Sequence, residues 1–315
     1  MADQTVVVDV KDLVKRYKEV VALDHFGLQI TKGEIFGLLG PNGSGKTTAI
    51  NCILQLLTYS KGSVALFGQS MGPTRYDLKR RIGIVPQQVA VLPELNVREN
   101  IDYFCSLYVA DRARRSELVS QAIAFVGLGE FASFRPKKLS GGLARRLNIA
   151  CGIAHQPELI FFDEPTVAVD PQSRNAILEG IRGLARNGAT VVYTSHYMEE
   201  VEQLCTRLMV MDHGRSVAVG TATELKAATG IGERVAVELD APDSDVLATI
   251  RRLPHTQHAV LEGSMLRVDC ARGGQNLGEI LDALNSLSVG YGRVYSEPPT
   301  LNDVFLELTG AELRD

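Results

Sequence analysis

The nine residues "GPNGSGKTT" at 40–48 leave few folds open to this chain. They follow the apolar stretch "EIFGLLG" and lead into "KTTAINCILQLL", whose apolar residues recur at helical spacing. A strand that turns through glycines into a helix with the pattern G-x-x-x-x-G-K-[ST] is a cradle for a phosphate chain. Gly40, Gly43 and Gly45 let the backbone turn its N–H groups inward, Lys46 reaches the terminal phosphates, and the Thr47 hydroxyl is placed to ligate Mg²⁺. Pro41, Asn42, Ser44 and Thr48 belong to the same binding segment.

A cradle alone hydrolyses nothing; metal support and a base have to come from elsewhere. "LIFFDE" at 159–164 offers both: a buried apolar strand, Asp163 at its end to hold the metal or its water, and Glu164 to polarise an attacking water. A second anion seat lies at "LSGGLARRL", residues 139–147. There Ser140 caps a helix whose first N–H groups, at Gly141 and Gly142, are free to face an anion.

Around these motifs strand and helix patterns alternate up to about residue 220: "SRNAILEGIRGLA" and "YMEEVEQLC" read as helices, "ATVVYTS" as a strand, and "RLMVMDHG" to "RSVAVG" as a closing hairpin. That alternation implies an α/β fold with a mainly parallel sheet. A composition shift at "GTATELKAATGIGE" marks a boundary, and beyond it strand, helix, strand, strand, helix, strand predict a small α+β domain of ferredoxin-like type. The expected domains are residues 1–222 and 231–315.

The 315 residues carry a net charge of −4, which argues against nucleic acid as the main partner. The N-terminal "MADQTVVVDV" lacks the features of a signal peptide, and no apolar run is long enough to span a bilayer. A cytoplasmic chain is expected, reaching a membrane only through a partner. The five cysteines are far apart with no C-x-x-C pair, so they read as buried apolar side chains in a reducing compartment.

With these residues in place, the chain resembles the nucleotide-binding subunit of ATP-binding cassette (ABC) transporters over residues 5–220, every family motif standing in order. The resemblance implies a P-loop NTPase cassette with antiparallel N-terminal strands and a helical subdomain carrying the LSGG signature. It implies ATP and Mg²⁺ as cofactors, Tyr17 stacking on adenine, and Gln87 of "GIVPQ" linking metal and water to a membrane subunit. Asp170 of "EPTVAVDP" would contact the opposite subunit, and His196 of "TSH" the γ-phosphate. On this pattern Thr47, Gln87 and Asp163 serve the metal, and Glu164, His196 and Gln87 catalysis. It also explains the second seat: Ser140, Gly141 and Gly142 would face the γ-phosphate held by another copy, so that ATP joins two chains head to tail.

The chain departs from the family at two places. Leu143 stands where a Gln commonly follows LSGG, and Ala168-Val169 where Gly-Leu is usual. Since a left-handed backbone would cost Ala roughly 1 kcal/mol, ordinary right-handed or extended dihedrals are expected at Ala168.

The ending "EPPTLNDVFLELTG" at 297–310 resembles that of ATPase subunits of bacterial drug and antibiotic exporters, which implies a separate polytopic permease and a peripheral place on the inner face of the membrane. Physically, Thr300 and Asp303 are spaced as a capping box, and Leu301, Val304, Phe305 and Leu308 form an apolar stripe, packed on its own domain or also against a second chain. The alternative function is a soluble ATPase of this class that regulates without transport. The chain has neither the two cassettes of a translation ATPase nor the long coiled coil of a chromosomal one.

Overall fold

The computed structural model describes residues 5–309. Residues 1–4, where the signal-peptide reading begins, and 310–315, which include Gly310 of the C-terminal motif and the end of the expected second domain, lie outside it. The chain divides into two compact units that meet in sequence between Thr221 and Ala222.

The first unit is built on a six-stranded sheet of β3 (Ile35–Leu39), β6 (Ile82–Val85), β7 (Leu159–Asp163), β8 (Thr190–Ser195), β9 (Arg207–Asp212) and β10 (Arg215–Gly220), in the order β10-β9-β3-β8-β7-β6. All pairs are parallel except β10 on β9, the hairpin expected from "RLMVMDHG" and "RSVAVG". β3, β7 and β8 are buried at every position, which is why they read as continuous apolar runs rather than alternating ones. A second sheet, antiparallel and ordered β2-β1-β4-β5, comprises β1 (Val6–Tyr17), β2 (Val20–Thr31), β4 (Lys61–Leu66) and β5 (Gln69–Ser70). Its inner residues Val8, Leu13, Phe26 and Ile30 share one core with Phe36 and Leu38 of β3 and with Ile50 and Cys52 of α1 (Lys46–Ile53).

Helices α2 (Tyr76–Lys79), α3 (Val97–Ser106), α4 (Arg112–Phe125) and α5 (Gly141–Ile153) occupy the stretch between β5 and β7. α5 lies close on β6 because both elements carry glycine at the crossing: a Cβ on Gly83 would stand 2.5 Å from the Gly152 carbonyl oxygen. That approach fixes the helix whose first residues are Gly141 and Gly142. α6 (Pro171–Arg186) and α7 (Met198–Leu204) complete the unit.

The second unit opens with α8 (Ala222–Ala228), a helix in the stretch that reads from sequence only as a composition shift; at seven residues it is too short to show a period. β11 (Ile231–Leu239), α9 (Ser244–Ile250), β12 (Thr256–Glu262), β13 (Met265–Ala271), α10 (Asn276–Ser286) and β14 (Tyr291–Glu297) follow, and the sheet order β12-β13-β11-β14 with every pair antiparallel is the ferredoxin-like arrangement. Val235, Val237, Leu266 and Val268 meet Ile250, Ile280 and Leu284 in its core. α11 (Leu301–Thr309) carries the expected box: the Asp303 carboxylate accepts from Thr300 N and Oγ1 at 2.7 and 2.8 Å, and the Thr300 hydroxyl accepts from Asp303 N at 3.4 Å. Leu301, Val304 and Phe305 of the stripe are buried, whereas Leu308 is exposed.

Four of the cysteines are buried, Cys205 is partly buried, and all five are free. Among the described residues no helix is long and apolar enough to cross a membrane.

In the loop between β6 and α3, one side chain gathers residues 92–96. Asn100 is fully buried; its amide donates to the carbonyls of Leu92, Leu95 and Asn96, each at 3.0 Å, and accepts from Leu92 N at 2.7 Å. Replacing it with Ala leaves several polar groups of a packed loop without partners, so Asn100→Ala should lower unfolding free energy by about 2–4 kcal/mol, read as an earlier urea transition. A loss below about 0.5 kcal/mol would show that water takes over these bonds.

Candidate nucleotide site

The glycine loop leaves the end of β3 and re-enters as α1, so helix N–H groups and the helix dipole point along the sheet's carboxyl edge. Two of its glycines are required by space. A Cβ on Gly40 would lie 2.2 Å from the Met211 carbonyl oxygen, and one on Gly45, at φ 103°, would lie 2.6 Å from the Ala22 carbonyl oxygen. Gly43, at φ 84°, meets nothing and serves the turn itself. The Ser44 hydroxyl is buried without a hydrogen-bond partner, an orphan expected of a loop shaped around another group. Pro41 and Asn42 form the outer side of the loop, Thr47 is exposed, and Thr48 is half-buried.

Lys46 is buried in this cradle. Its ammonium donates to the carbonyls of Gly40 (2.7 Å) and Pro41 (3.1 Å) and lies 3.2 Å from Glu164 Oε1. Burial pulls its pKa below the ordinary lysine range, against the Glu164 carboxylate, which raises it. The Thr47 hydroxyl donates to Asp163 Oδ2 at 2.9 Å, and the Thr194 hydroxyl donates to Asp163 Oδ1 at 2.7 Å. Burial raises the Asp163 pKa while those two donors lower it. Glu164 accepts from the Gln87 amide at 2.9 Å on Oε2, and His196 Nδ1 stands 3.5 Å from its Oε1. The structure thus brings Lys46, Thr47, Gln87, Asp163, Glu164 and His196 to one place.

Glu164 holds φ 46°, an uncommon conformation for a residue with a side chain, and its N–H is fastened to Thr194 Oγ1 at 2.9 Å. Tyr17 ends β1, 44% exposed, with the Lys15 ammonium 4.8 Å from its ring centre. The turn between β9 and β10 ties its sheet to the loop: Gly214 N donates to the Ser44 carbonyl at 2.9 Å, and Asp24 N to the Gly214 carbonyl at 3.0 Å.

The signature residues belong to a separate group. Ser140 is the N-cap of α5, its hydroxyl accepting from Leu143 N at 3.3 Å. The neighbour of Gly142 is Asp170, since a Cβ there would lie 3.0 Å from Asp170 Oδ2 and 2.5 Å from Ser173 Oγ. Asp170 in turn caps α6 by accepting from Ser173 N at 2.9 Å. That backbone bond, first among its causes, draws the Asp170 carboxyl below the usual range. Among the described residues no hydrogen bond or ion pair joins this group to the Lys46 group.

One expectation is overturned. Ala168 has φ 58°, a left-handed backbone, not the ordinary dihedrals expected for Ala. The loop must reverse within the few residues between β7 and α6, with Val167 N donating to the Glu164 carbonyl (3.4 Å) and Val169 N to the Thr166 carbonyl (3.3 Å). The reversal falls on position 168 whichever side chain stands there, and Ala bears the cost of roughly 1–2 kcal/mol.

Several positioning residues carried no motif. Arg145 and Asn148 of α5 both donate to the Pro86 carbonyl, at 3.0 and 3.2 Å, and so pin the segment bearing Gln87 to the signature helix. Thr194 holds both Asp163 and Glu164. Its signal was a hydroxyl inside the apolar strand "ATVVYTS".

The family model of the ABC transporter matches residues 23–167. A linearmycin resistance ATP-binding protein of Bacillus subtilis is 36% identical over 307 residues, covering 97% of this chain and 99% of the relative. A daunorubicin resistance ATP-binding protein of Streptomyces coeruleorubidus is 34% identical, covering 100% and 98%, and a Nod factor export ATP-binding protein of Cupriavidus metallidurans 34%, covering 99% and 100%. Among solved structures, a dimeric ATP-binding cassette in a post-hydrolysis state bound to ADP and Pi is 28% identical, with a TM-score of 0.63 over 68% of this chain and 98% of that one. The chain is a member of the ABC transporter family and an ATP-binding, ATP-hydrolysing cassette.

Proposed function

We propose that this chain is the ATPase subunit of an exporter, working as a pair of copies on a separate polytopic permease at the inner face of the membrane. The observation that carries the reading is the convergence of Lys46, Thr47, Asp163 and Glu164 on one cradle while Ser140, Gly141 and Gly142 form a second capped N-terminus apart from it. Two anion seats in one chain are redundant for one nucleotide and complementary across two copies. Relatives named for linearmycin resistance, daunorubicin resistance and Nod factor export support the exporter assignment. The solved cassette dimer supports the paired arrangement.

In this reading the loop N–H groups, the Ser44 hydroxyl and Lys46 bind the phosphates, and Tyr17 receives the adenine. Mg²⁺ suits Thr47 Oγ1 and Asp163, two hard oxygen donors that leave most of its coordination to phosphate and water; Gln87 completes the set. The bound ion supplies charge neutralisation at the transferring phosphoryl group. Glu164 takes the proton of the attacking water, held toward the site by Thr194 and Gln87, and His196 beside it faces the γ-phosphate. Asp170 lies on the surface met by the other copy. Hydrolysis removes the charge that draws the opposite helix N-terminus, and the pair reopens. We further propose that residues 1–222 fold and bind ATP without the C-terminal domain, since every nucleotide residue precedes it.

Glu164→Gln should lower turnover of MgATP by about 100-fold or more while ATP binding persists, because Lys46 keeps its loop carbonyls and the bound phosphates replace the negative charge that Glu164 gives up. Turnover within about twofold of the parent in a steady-state assay would remove Glu164 from this role.

In the Glu164→Gln chain, light scattering should show a dimer that grows with MgATP and not with MgADP, the γ-phosphate being the difference. Adding Ser140→Arg fills the second seat and should abolish that growth, leaving ATP titration of each monomer nearly unchanged. Equal dimer growth in the double variant would show that the signature does not bind in trans.

A further inference from the structure

Glu200 belongs to none of the motifs above, yet it is only 4% exposed. It sits on α7, just after the turn that carries His196. Its Oε2 accepts from the hydroxyls of Thr166 (2.7 Å), Tyr193 (2.7 Å) and Ser195 (3.2 Å), and its Oε1 faces Arg174 Nε at 3.2 Å. A buried carboxylate is costly unless it is paired; here three hydroxyls bond Oε2, and the Arg174 guanidinium balances the charge as an ion pair at Oε1, which carries no hydrogen bond of its own. Burial and this carboxylate push the Tyr193 phenol well above its ordinary pKa, so it remains a donor.

What matters is where the partners sit. Thr166 is in the loop that runs from Glu164 to Asp170, the loop whose reversal falls on Ala168. Arg174 stands in the first turns of α6, directly after the Asp170 cap. Ser195 immediately precedes His196, and its hydroxyl also accepts from Tyr197 N at 2.9 Å, closing a small turn around the imidazole. The Tyr197 ring lies 4.1 Å from the His196 ring, and the Arg174 guanidinium lies 4.9 Å from the Tyr197 ring centre. His196 Nδ1 itself has no hydrogen-bond partner. The imidazole is therefore placed by its turn and by Tyr197, and both lead back to Glu200.

We propose that Glu200 is a positioning residue for ATP hydrolysis: its carboxylate clamps the Asp170 loop to the His196 turn, so that a displacement of the loop is transmitted to the imidazole beside Glu164. The proposal rests on the ATPase reading and adds the path by which the surface that meets a second copy reaches the reacting phosphate. Among the described residues no hydrogen bond or ion pair joins Glu200 to the glycine loop, so the clamp acts on turnover and leaves nucleotide affinity alone.

The test uses the full chain. Glu200→Gln keeps size and an acceptor oxygen but places an amide opposite Arg174; kcat for MgATP should fall by about fivefold or more with KM within about twofold. The imidazole NMR signal of His196, identified by its loss in His196→Gln, should shift in Glu200→Gln. Arg174→Gln changes a side chain about one-third exposed, which secures folding if Glu200→Gln proves unstable, and should show the same split with a fall of about two- to fivefold. Turnover within about twofold of the parent in both variants, or a KM rising in step with the fall, overturns the clamp. A parent chain that does not hydrolyse MgATP would refute the ATPase reading instead; the His196 signal then decides alone, a shift supporting the clamp and an unmoved signal refuting it.

Discussion

Lys46 and Glu164 are each 5% exposed, and a charge so far from water is tolerable only beside its opposite. Their contact at 3.2 Å joins the glycine loop to the end of β7, two elements separated by more than a hundred residues. The rest of the cassette can be seen as what keeps these two charges in register. β3 and β7 both neighbour β8, so loop and carboxylates leave the same edge of one sheet. Thr194 on β8 fastens Glu164 through its backbone and Asp163 through its side chain. On the proposed reading, a phosphate that takes over Lys46 leaves Glu164 to Gln87 and His196, which couples phosphate binding to release of the base.

Short contiguous patterns were legible because their chemistry is local. A glycine loop between strand and helix, "DE" at the end of an apolar strand, and a Ser-Gly-Gly helix start each state their own geometry, and the βαββαβ order of the second unit follows from periodicity alone. What sequence could not show are bonds between distant positions. Arg145 and Asn148 reach Pro86 across about sixty residues, Thr194 reaches Asp163 across about thirty, and Glu200 gathers three elements. None of these side chains sits in a spacing that names its partner. Ala168 failed for another reason: residue propensity was weighed, but the length of the loop between β7 and α6 decided. α8 was missed because a seven-residue helix carries less than two full turns of pattern.

The signature helix is placed by two different kinds of contact. Its last turn is set by close packing of glycine on glycine against β6, and its start lies against Asp170. Arg145 and Asn148 meanwhile bind the Gln87 segment to the same helix. A tilt of α5 therefore moves the second anion seat and Gln87 together, and Gln87 holds Glu164. On the proposed reading, the surface that would meet another copy and the segment that holds the base are both carried by this helix.

The second unit begins with α8 and ends with α11, and these helices pack on one another. α11 is further tied to the chain beside α8 by Arg234 to Asp303 at 2.6 Å and by Gly230 N to Glu307 at 3.3 Å. Entry and exit of the unit thus form a clasp. Mechanically, tension between the two ends of the unit would first peel α11 away and then fall on the paired start of β11 and end of β14, opening that pair one bond at a time. An exchange of modules between such proteins would keep its pieces stable only by moving α8 and α11 together.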